Sequence, residues 1–213
     1  MTRRTVILLA LAAVLAGLGA SSLPAATHAA GCPKVKQPKP ASKSRKPPKK
    51  PLDADKTWTA TFDTTCGSFT VRINVGVSPH LAASFVSLAR SRFYDDTIFH
   101  RIIPGFVIQG GDPTASGTGG PGYSTVDPPP KKLKYTRGIV AMAKTSSEPA
   151  GTSGSQFFVV TGDASFLPPD YALLGKVVKG IDVVAKIGKL GTHSEQGTPT
   201  RIVVVRKITI SSR

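Results

Sequence analysis

The chain has 213 residues, 40% of them hydrophobic, which suits one domain of ordinary size with a buried core and excludes a fibrous or wholly disordered chain. Its 28 Lys and Arg against 12 Asp and Glu give a net charge of +16, which excludes an acidic protein and favours anionic surroundings. The excess is local: residues 31–52 hold eight basic side chains and no acidic one, whereas residues 53–213 hold 18 basic and 12 acidic.

In chain order, Arg3 and Arg4 precede an uncharged apolar run, Val6–Ala20, and small residues lead to Ala29 and Ala30. A basic start, a short apolar core and a small-residue exit make a secretory signal over residues 1–30. The run is shorter than the roughly 20 residues of a spanning helix. An uncleaved anchor and lipidation at Cys32 stand as alternatives. Export implies an extracellular or envelope-associated protein and argues against nucleic acid as the target of the basic excess.

Residues 31–56 are Lys/Pro-rich. Pro33, Pro38, Pro40, Pro47, Pro48 and Pro51 remove backbone donors, and like charges extend the chain. This predicts a disordered linker: a spacer, or a contact for an anionic cell-envelope surface. Cys32 and Cys66 are the two cysteines. In an oxidising compartment they form a disulfide or stay as two thiols; they make a poor metal site.

The folded unit is expected over 57–213. Thr57–Phe62 and Ser68–Ile73, split by Cys66-Gly67, read as a hairpin. Pro79–Arg92 has helical spacing, with Ser78 as its expected cap. Short apolar runs follow at Phe106–Ile108, Ile139–Ala143, Phe157–Val160 and Ala172–Val178. Gly180–Ile187 reads as a second helix, and Ile202–Ile210 as a closing strand. Many short strands with two helices predict a closed antiparallel barrel.

Two motifs mislead by their letters. Gly117-Thr118-Gly119-Gly120-Pro121-Gly122 fits a dinucleotide fingerprint, but a nucleotide loop must open a helix, and Pro128, Pro129 and Pro130 lie just beyond. Ser153 and Ser155 with His100 and Asp112 name the parts of a hydrolase triad, without the spacing of a nucleophile elbow. His28, His80, His100 and His193 are scattered, so no metal cluster is expected.

The informative stretch is Phe99-His100-Arg101-Ile102-Ile103-Pro104-Gly105-Phe106-Val107-Ile108-Gln109-Gly110-Gly111-Asp112-Pro113, with Gly154-Ser155-Gln156-Phe157-Phe158 further on. Two strands around the Pro104-Gly105 turn would bring Arg101 and Gln109 to one face, with Phe106 beside them. Both blocks closely resemble cyclophilins, and the resemblance runs from about Thr59 to Ile210. Ser116–Tyr123, Gly138–Ala143 and Leu173–Val177 match as well.

The resemblance implies a mainly β protein, a closed eight-stranded antiparallel β-barrel capped by two α-helices, of the exported bacterial branch. It implies a peptidyl-prolyl cis/trans isomerase acting on proline-containing polypeptides, without cofactor or metal, as a monomer. By position, Arg101 matches the catalytic arginine and Gln109 the glutamine that steers it. Phe106, Val107, Phe158 and Leu167 match the proline pocket; Ala143 and Gln156 match positions lining the peptide groove. Val107 departs from a common Met, Phe166 from a Trp and Tyr171 from a His in drug-sensitive members. Lys144 and Thr145 replace an Asn-Ala pair. These departures put strong cyclosporin binding in doubt. A non-catalytic prolyl-peptide-binding chaperone module is the alternative function.

Overall fold

Alternation builds the first hairpin. In β1 (Trp58–Thr64) every second residue is buried, and β2 (Gly67–Ile73) buries Phe69, Val71 and Ile73. Their register sets Phe62 opposite Phe69, with ring centroids 4.6 Å apart. The computed structural model describes residues 31–213; the signal segment assigned to 1–30 lies outside the described residues.

Helix α1 (Pro79–Arg90) begins with proline at its first turn, as expected, and ends two residues early. Ser78 does not cap it. Its hydroxyl is buried and unpaired, and the Leu81 amide instead donates to Asp127 Oδ2 at 2.6 Å. A carboxylate 46 residues away supplies the negative charge that a helix N-terminus favours.

The remaining elements are β3 (Thr97–Ile98), β4 (Arg101–Ile103), β5 (Val107–Gly110), β6 (Thr125–Val126), β7 (Ile139–Met142), β8 (Thr152–Ser153), β9 (Phe157–Val160), β10 (Leu173–Lys179), α2 (Ile181–Gly188) and β11 (Val204–Ser212). Nine strands form one antiparallel sheet, ordered β3-β11-β1-β2-β10-β7-β9-β5-β4, and β6 pairs with β8. The expected closed eight-stranded barrel is therefore corrected to a strongly curled half-barrel of nine strands. The two edges, β3 and β4, are separated only by Phe99 and His100 and do not pair. The β4 edge is taken by a loop instead: the Ile102 amide donates to the Gly197 carbonyl at 2.7 Å. Gly191 allows this approach, since a Cβ there would lie 1.9 Å from the Ile102 oxygen. An edge covered by a loop leaves little for another strand to join.

Period two explains why the fold has two apolar compartments. Ile108, Val140, Met142, Phe157 and Val159 face the main core with Phe62, Phe69, Phe85 and Tyr94. Their neighbours along the same strands, Val107, Ala141, Phe158 and Val160, face the other way and join Tyr135 and Ala164 in a smaller cluster. Strands β7 and β9 are apolar on both faces, and β5 sets Val107 and Gln109 on the second face, which carries the site.

Residues 31–56 contain no helix or strand, as repeated proline dictates. In the structure they lie against the domain. Cys32 is bonded to Cys66, and the Arg201 guanidinium donates to the Cys32 carbonyl. Lys43 Nζ donates to the Phe93 and Asp95 carbonyls, both at 2.9 Å. Leu52 packs on the main core, and the Asp53 carbonyl accepts from Trp58 Nε1 at 2.8 Å. Composition predicts how such a segment behaves alone; here domain carbonyls and a covalent bond hold it as a strap.

Candidate active site

Strand register assembles the site. Arg101 on β4 stands opposite Gln109 on β5, Gln109 opposite Phe158 on β9, and Phe158 opposite Ala141 on β7. These four residues form one row across four strands on the face away from the main core. Val107 and Val160 pair in the next row. Phe106 lies just before β5 and Ala143 just after β7, so both flank the row. The loop between β9 and β10 brings in Leu167 and Tyr171.

Together they enclose a cavity of about 280 Å³, lined by Arg101, Phe106, Val107, Gln109, Ala143, Lys144, Phe158, Leu167 and Tyr171. Its floor is apolar, and its rim carries one guanidinium, one ammonium and one amide. All the sequence-predicted site residues line it except Gln156. Gln156 lines a neighbouring cavity of about 500 Å³, walled by the Gly117–Ser124 loop and by Ala143, Lys144 and Thr145. A third cavity, of about 480 Å³ beside Lys56, Arg72, Asn74 and Lys176, contains none of the candidate residues.

Arg101 is held from two sides. Its Nε donates to the Glu195 carbonyl at 3.0 Å, and its Nη1 to Gln109 Oε1 at 3.4 Å. Gln109 Nε2 donates to Gln156 Oε1 at 3.1 Å, and Gln156 Nε2 donates to the Gly117 and Gly119 carbonyls at 2.9 and 3.0 Å. A continuous chain of hydrogen bonds therefore runs from the glycine loop to the guanidinium. Burial lowers the Arg101 pKa, against the attraction of Tyr171 and Glu195; an arginine shifted from so high a value keeps its charge at neutral pH.

The apolar wall is fixed by aromatic contacts. Phe158 meets Tyr171 edge-on at 5.4 Å, and Tyr135 meets both. The Tyr135 hydroxyl donates to the Tyr171 carbonyl at 2.7 Å and accepts from its amide at 2.9 Å. Burial pushes the Tyr135 phenol up to about 12, so it stays a donor. On the opposite rim Phe106 stacks on exposed Phe166 at 5.4 Å. Lys144 Nζ donates to the Thr145 and Glu148 carbonyls and lies 5.8 Å from the Tyr171 ring.

Sequence reasoning missed Glu195, Tyr135 and Asp112. Glu195 acts through its carbonyl, which no side-chain signal reveals. Tyr135 lies in an irregular stretch without periodicity. Asp112 did carry a signal: an acid followed by Pro-Thr-Ala-Ser-Gly-Thr-Gly is turn chemistry. Its carboxylate accepts from the Thr114, Gly117 and Gly119 amides at 2.7, 2.6 and 3.1 Å and gathers the glycine loop. The rejected triad has no relay. Ser155 Oγ donates to the Gly111 carbonyl, and both His100 ring nitrogens are buried without partners. Among the described residues no group of three His, Cys, Asp or Glu could hold a metal ion.

A family model described as cyclophilin type peptidyl-prolyl cis-trans isomerase/CLD matches residues 59–210. The chain is 36% identical over 173 residues to peptidyl-prolyl cis-trans isomerase A of Mycobacterium tuberculosis, covering 73% of this chain and 93% of the relative. It is 35% identical over 150 residues to peptidyl-prolyl cis-trans isomerase-like 1 of Emericella nidulans, covering 68% and 91%. A crystal structure of a Cryptosporidium parvum cyclophilin type isomerase, in the presence of the dipeptide Ala-Pro, superposes with a TM-score of 0.66 at 32% identity. That match covers 73% of this chain and 99% of the other. The fold, the row of site residues and these likenesses agree, and the chain belongs to the cyclophilin type of peptidyl-prolyl cis-trans isomerases.

Proposed function

We propose that the cavity beside Arg101 receives the proline ring of an X-Pro segment and that Arg101 accelerates rotation about the preceding amide. The observation that carries this is a charged guanidinium, braced by Gln109 and the Glu195 carbonyl, at the rim of an apolar cavity. The Ala-Pro dipeptide named with the Cryptosporidium parvum structure belongs to the same ligand class.

An X-Pro amide resists rotation because its nitrogen shares a lone pair with the carbonyl, a barrier of about 18–20 kcal/mol. Twisting localises that pair on the prolyl nitrogen. A fixed donor at this point favours the twisted amide over both planar forms, and such preferential stabilisation is catalysis. Phe106, Val107, Phe158 and Leu167 grip the ring while the preceding residue swings. They also exclude water, which favours the less polar twisted state. Gln109 holds the arginine rather than meeting substrate; Tyr171 forms the wall. Ala143 and Gln156 border the course of the flanking peptide.

The reaction needs no cofactor, and we assign the chain to the exported bacterial branch, acting as a monomer on exported proteins. The basic start with its apolar run, and a disulfide that suits an oxidising compartment, support export. Cleavage after residue 30 would leave the strap at the start of the mature chain, ahead of a domain over 57–213. Lys34, Lys36, Lys39, Lys46, Lys49 and Lys50 are exposed on that strap, a charge array suited to an anionic envelope surface.

Exchange NMR on an Ala-Pro peptide tests the enzyme. Arg101→Ala should lower kcat/KM by about 10²-fold or more, the scale of a lost electrostatic donor, with the unfolding midpoint within a few degrees of the parent. An Arg101→Ala variant as active as the parent overturns the assignment. A parent that binds the peptide without accelerating exchange identifies the chaperone module instead.

A further inference from the structure

We propose that the strap, residues 32–45, is a positioning element of the isomerase site: it braces the glycine loop that steers Arg101, and the Cys32–Cys66 bond keeps it in place. This rests on the isomerase reading of that site.

The loop 113–121 is the far end of the hydrogen-bond chain. Its Gly117 and Gly119 carbonyls fix Gln156, which fixes Gln109, which fixes Arg101. Asp112 holds the loop from inside. The strap holds it from outside at both ends: the Ala41 amide donates to the Pro113 carbonyl at 2.9 Å, and the Arg45 amide to the Pro121 carbonyl at 2.8 Å. Between these two bonds Ser44 lies against Gly122, so close that a Cβ there would sit 3.1 Å from its hydroxyl. Lys43 and Arg45 point inward and pin the same stretch to Phe93, Lys43 through the carbonyl and Arg45 over the ring at 5.8 Å. Lys34, Lys36 and Lys39, the other lysines of this segment, face solvent. Two cations anchor the strap where it meets the loop, and the rest do not.

Each end of the strap is tied to the domain, one by the continuing chain at Leu52 and the other by the disulfide. A dithiol would open the second tie: two electrons and two protons pass to the sulfurs, giving two thiols, and the dithiol closes to its own disulfide. The arm that starts at Cys32 then has no covalent tie and is held only by non-covalent contacts: burial of Cys32, the hydrogen bonds of Ala41, Lys43 and Arg45, and Arg45 over the Phe93 ring. Loosening at Ala41 and Arg45 passes to Gly117 and Gly119 and relaxes the aim of the guanidinium. This loss falls on the rate of the bound peptide rather than on its binding.

The test uses the mature chain with and without a dithiol, and a double variant, Ala41→Pro with Arg45→Pro, which removes both amide donors and leaves the disulfide. Gln37→Pro is the control; it adds a proline to the strap at a residue whose amide makes no backbone hydrogen bond. Exchange NMR on an Ala-Pro peptide avoids a coupling protease that a dithiol would damage. Reduction and the double variant should each lower kcat about tenfold, within the roughly 10² that a misplaced group can cost. KM should hold, and the side-chain amide resonances of Gln109 and Gln156 should shift. A fall in unfolding temperature with kcat and those resonances unmoved reduces the strap to a stabilising staple and overturns the proposal. If the oxidised parent shows no isomerase activity, the underlying reading fails instead.

Discussion

Asp112→Asn separates the glycine loop from the rest of the fold by one atom. Asp112 has no exposed surface. One carboxylate oxygen accepts from the Thr114 amide and hydroxyl, both at 2.7 Å, and the other from the amides of Gly117 and Gly119. Asparagine must set its NH2 against one of these pairs. The less costly choice faces Thr114, whose hydroxyl can rotate to accept while its amide is left unpaired. One buried unpaired amide costs about 1–3 kcal/mol, and the surviving bonds lose their ionic share. The substitution should therefore cost about 2 kcal/mol at pH 7, or roughly 4–8 °C for a domain of this size. Burial alone would raise the Asp112 pKa, but the bonds from Thr114, Gly119 and Gly117 outweigh it and hold it below 3.8. A depressed carboxylate gives stability that is present above its unfolded value and lost as pH falls through its folded value. The gap between parent and variant should thus be full at pH 7 and shrink below about pH 4. Urea unfolding across this range measures it, with exchange NMR reporting a several-fold loss of kcat. A gap under about 0.5 kcal/mol at pH 7, or one that persists undiminished at pH 2, refutes the reasoning.

Burial holds the His100 pKa below 6.5, outweighing the attraction of Asp112, so the native ring is neutral where the unfolded chain takes up a proton. Stability should fall as pH drops below about 6.5 and level off once the native ring also protonates; unfolding midpoints from pH 7.5 to 5 should lose this slope in His100→Phe, and an unchanged slope assigns it elsewhere. Mass spectrometry of the envelope and medium fractions should find a mature chain beginning near Gly31, and deletion of 33–51 should shift it from envelope to medium. An intact Met1 terminus contradicts the signal, and unchanged retention removes the strap lysines as an anchor.

Period-two patterning placed β1, β2 and β11 within two residues, since each has one face in the core, whereas β9, apolar on both faces, was legible as the short run Phe157–Val160. The turn at Pro104-Gly105 likewise made the pairing of Arg101 with Gln109 legible, because a short hairpin fixes its own register. What stayed hidden is carried by backbone or by distance. The Glu195 carbonyl that holds Arg101 has no side-chain signature, and the carboxylate at the start of α1 comes from Asp127 rather than adjacent Ser78. Closure of the barrel failed for a related reason. Residues 190–200 contain no helix or strand, yet that loop takes the β4 edge that a strand would otherwise share.

The strap shows most clearly where composition misleads. Proline and lysine remove the means by which a segment folds on itself, and they leave intact its ability to donate to a surface already built. Ala41 and Arg45 sit between prolines and are among the residues of that stretch still carrying an amide, and these amides meet the carbonyls of Pro113 and Pro121. Those prolines contribute only acceptors, having no amide of their own. Strap and loop are each incomplete in hydrogen bonding, and each completes the other. A segment of this kind reports its partner rather than its own structure, so bonds between Ala41 and Pro113 and between Arg45 and Pro121, far apart in sequence, become readable only when both sides are in place.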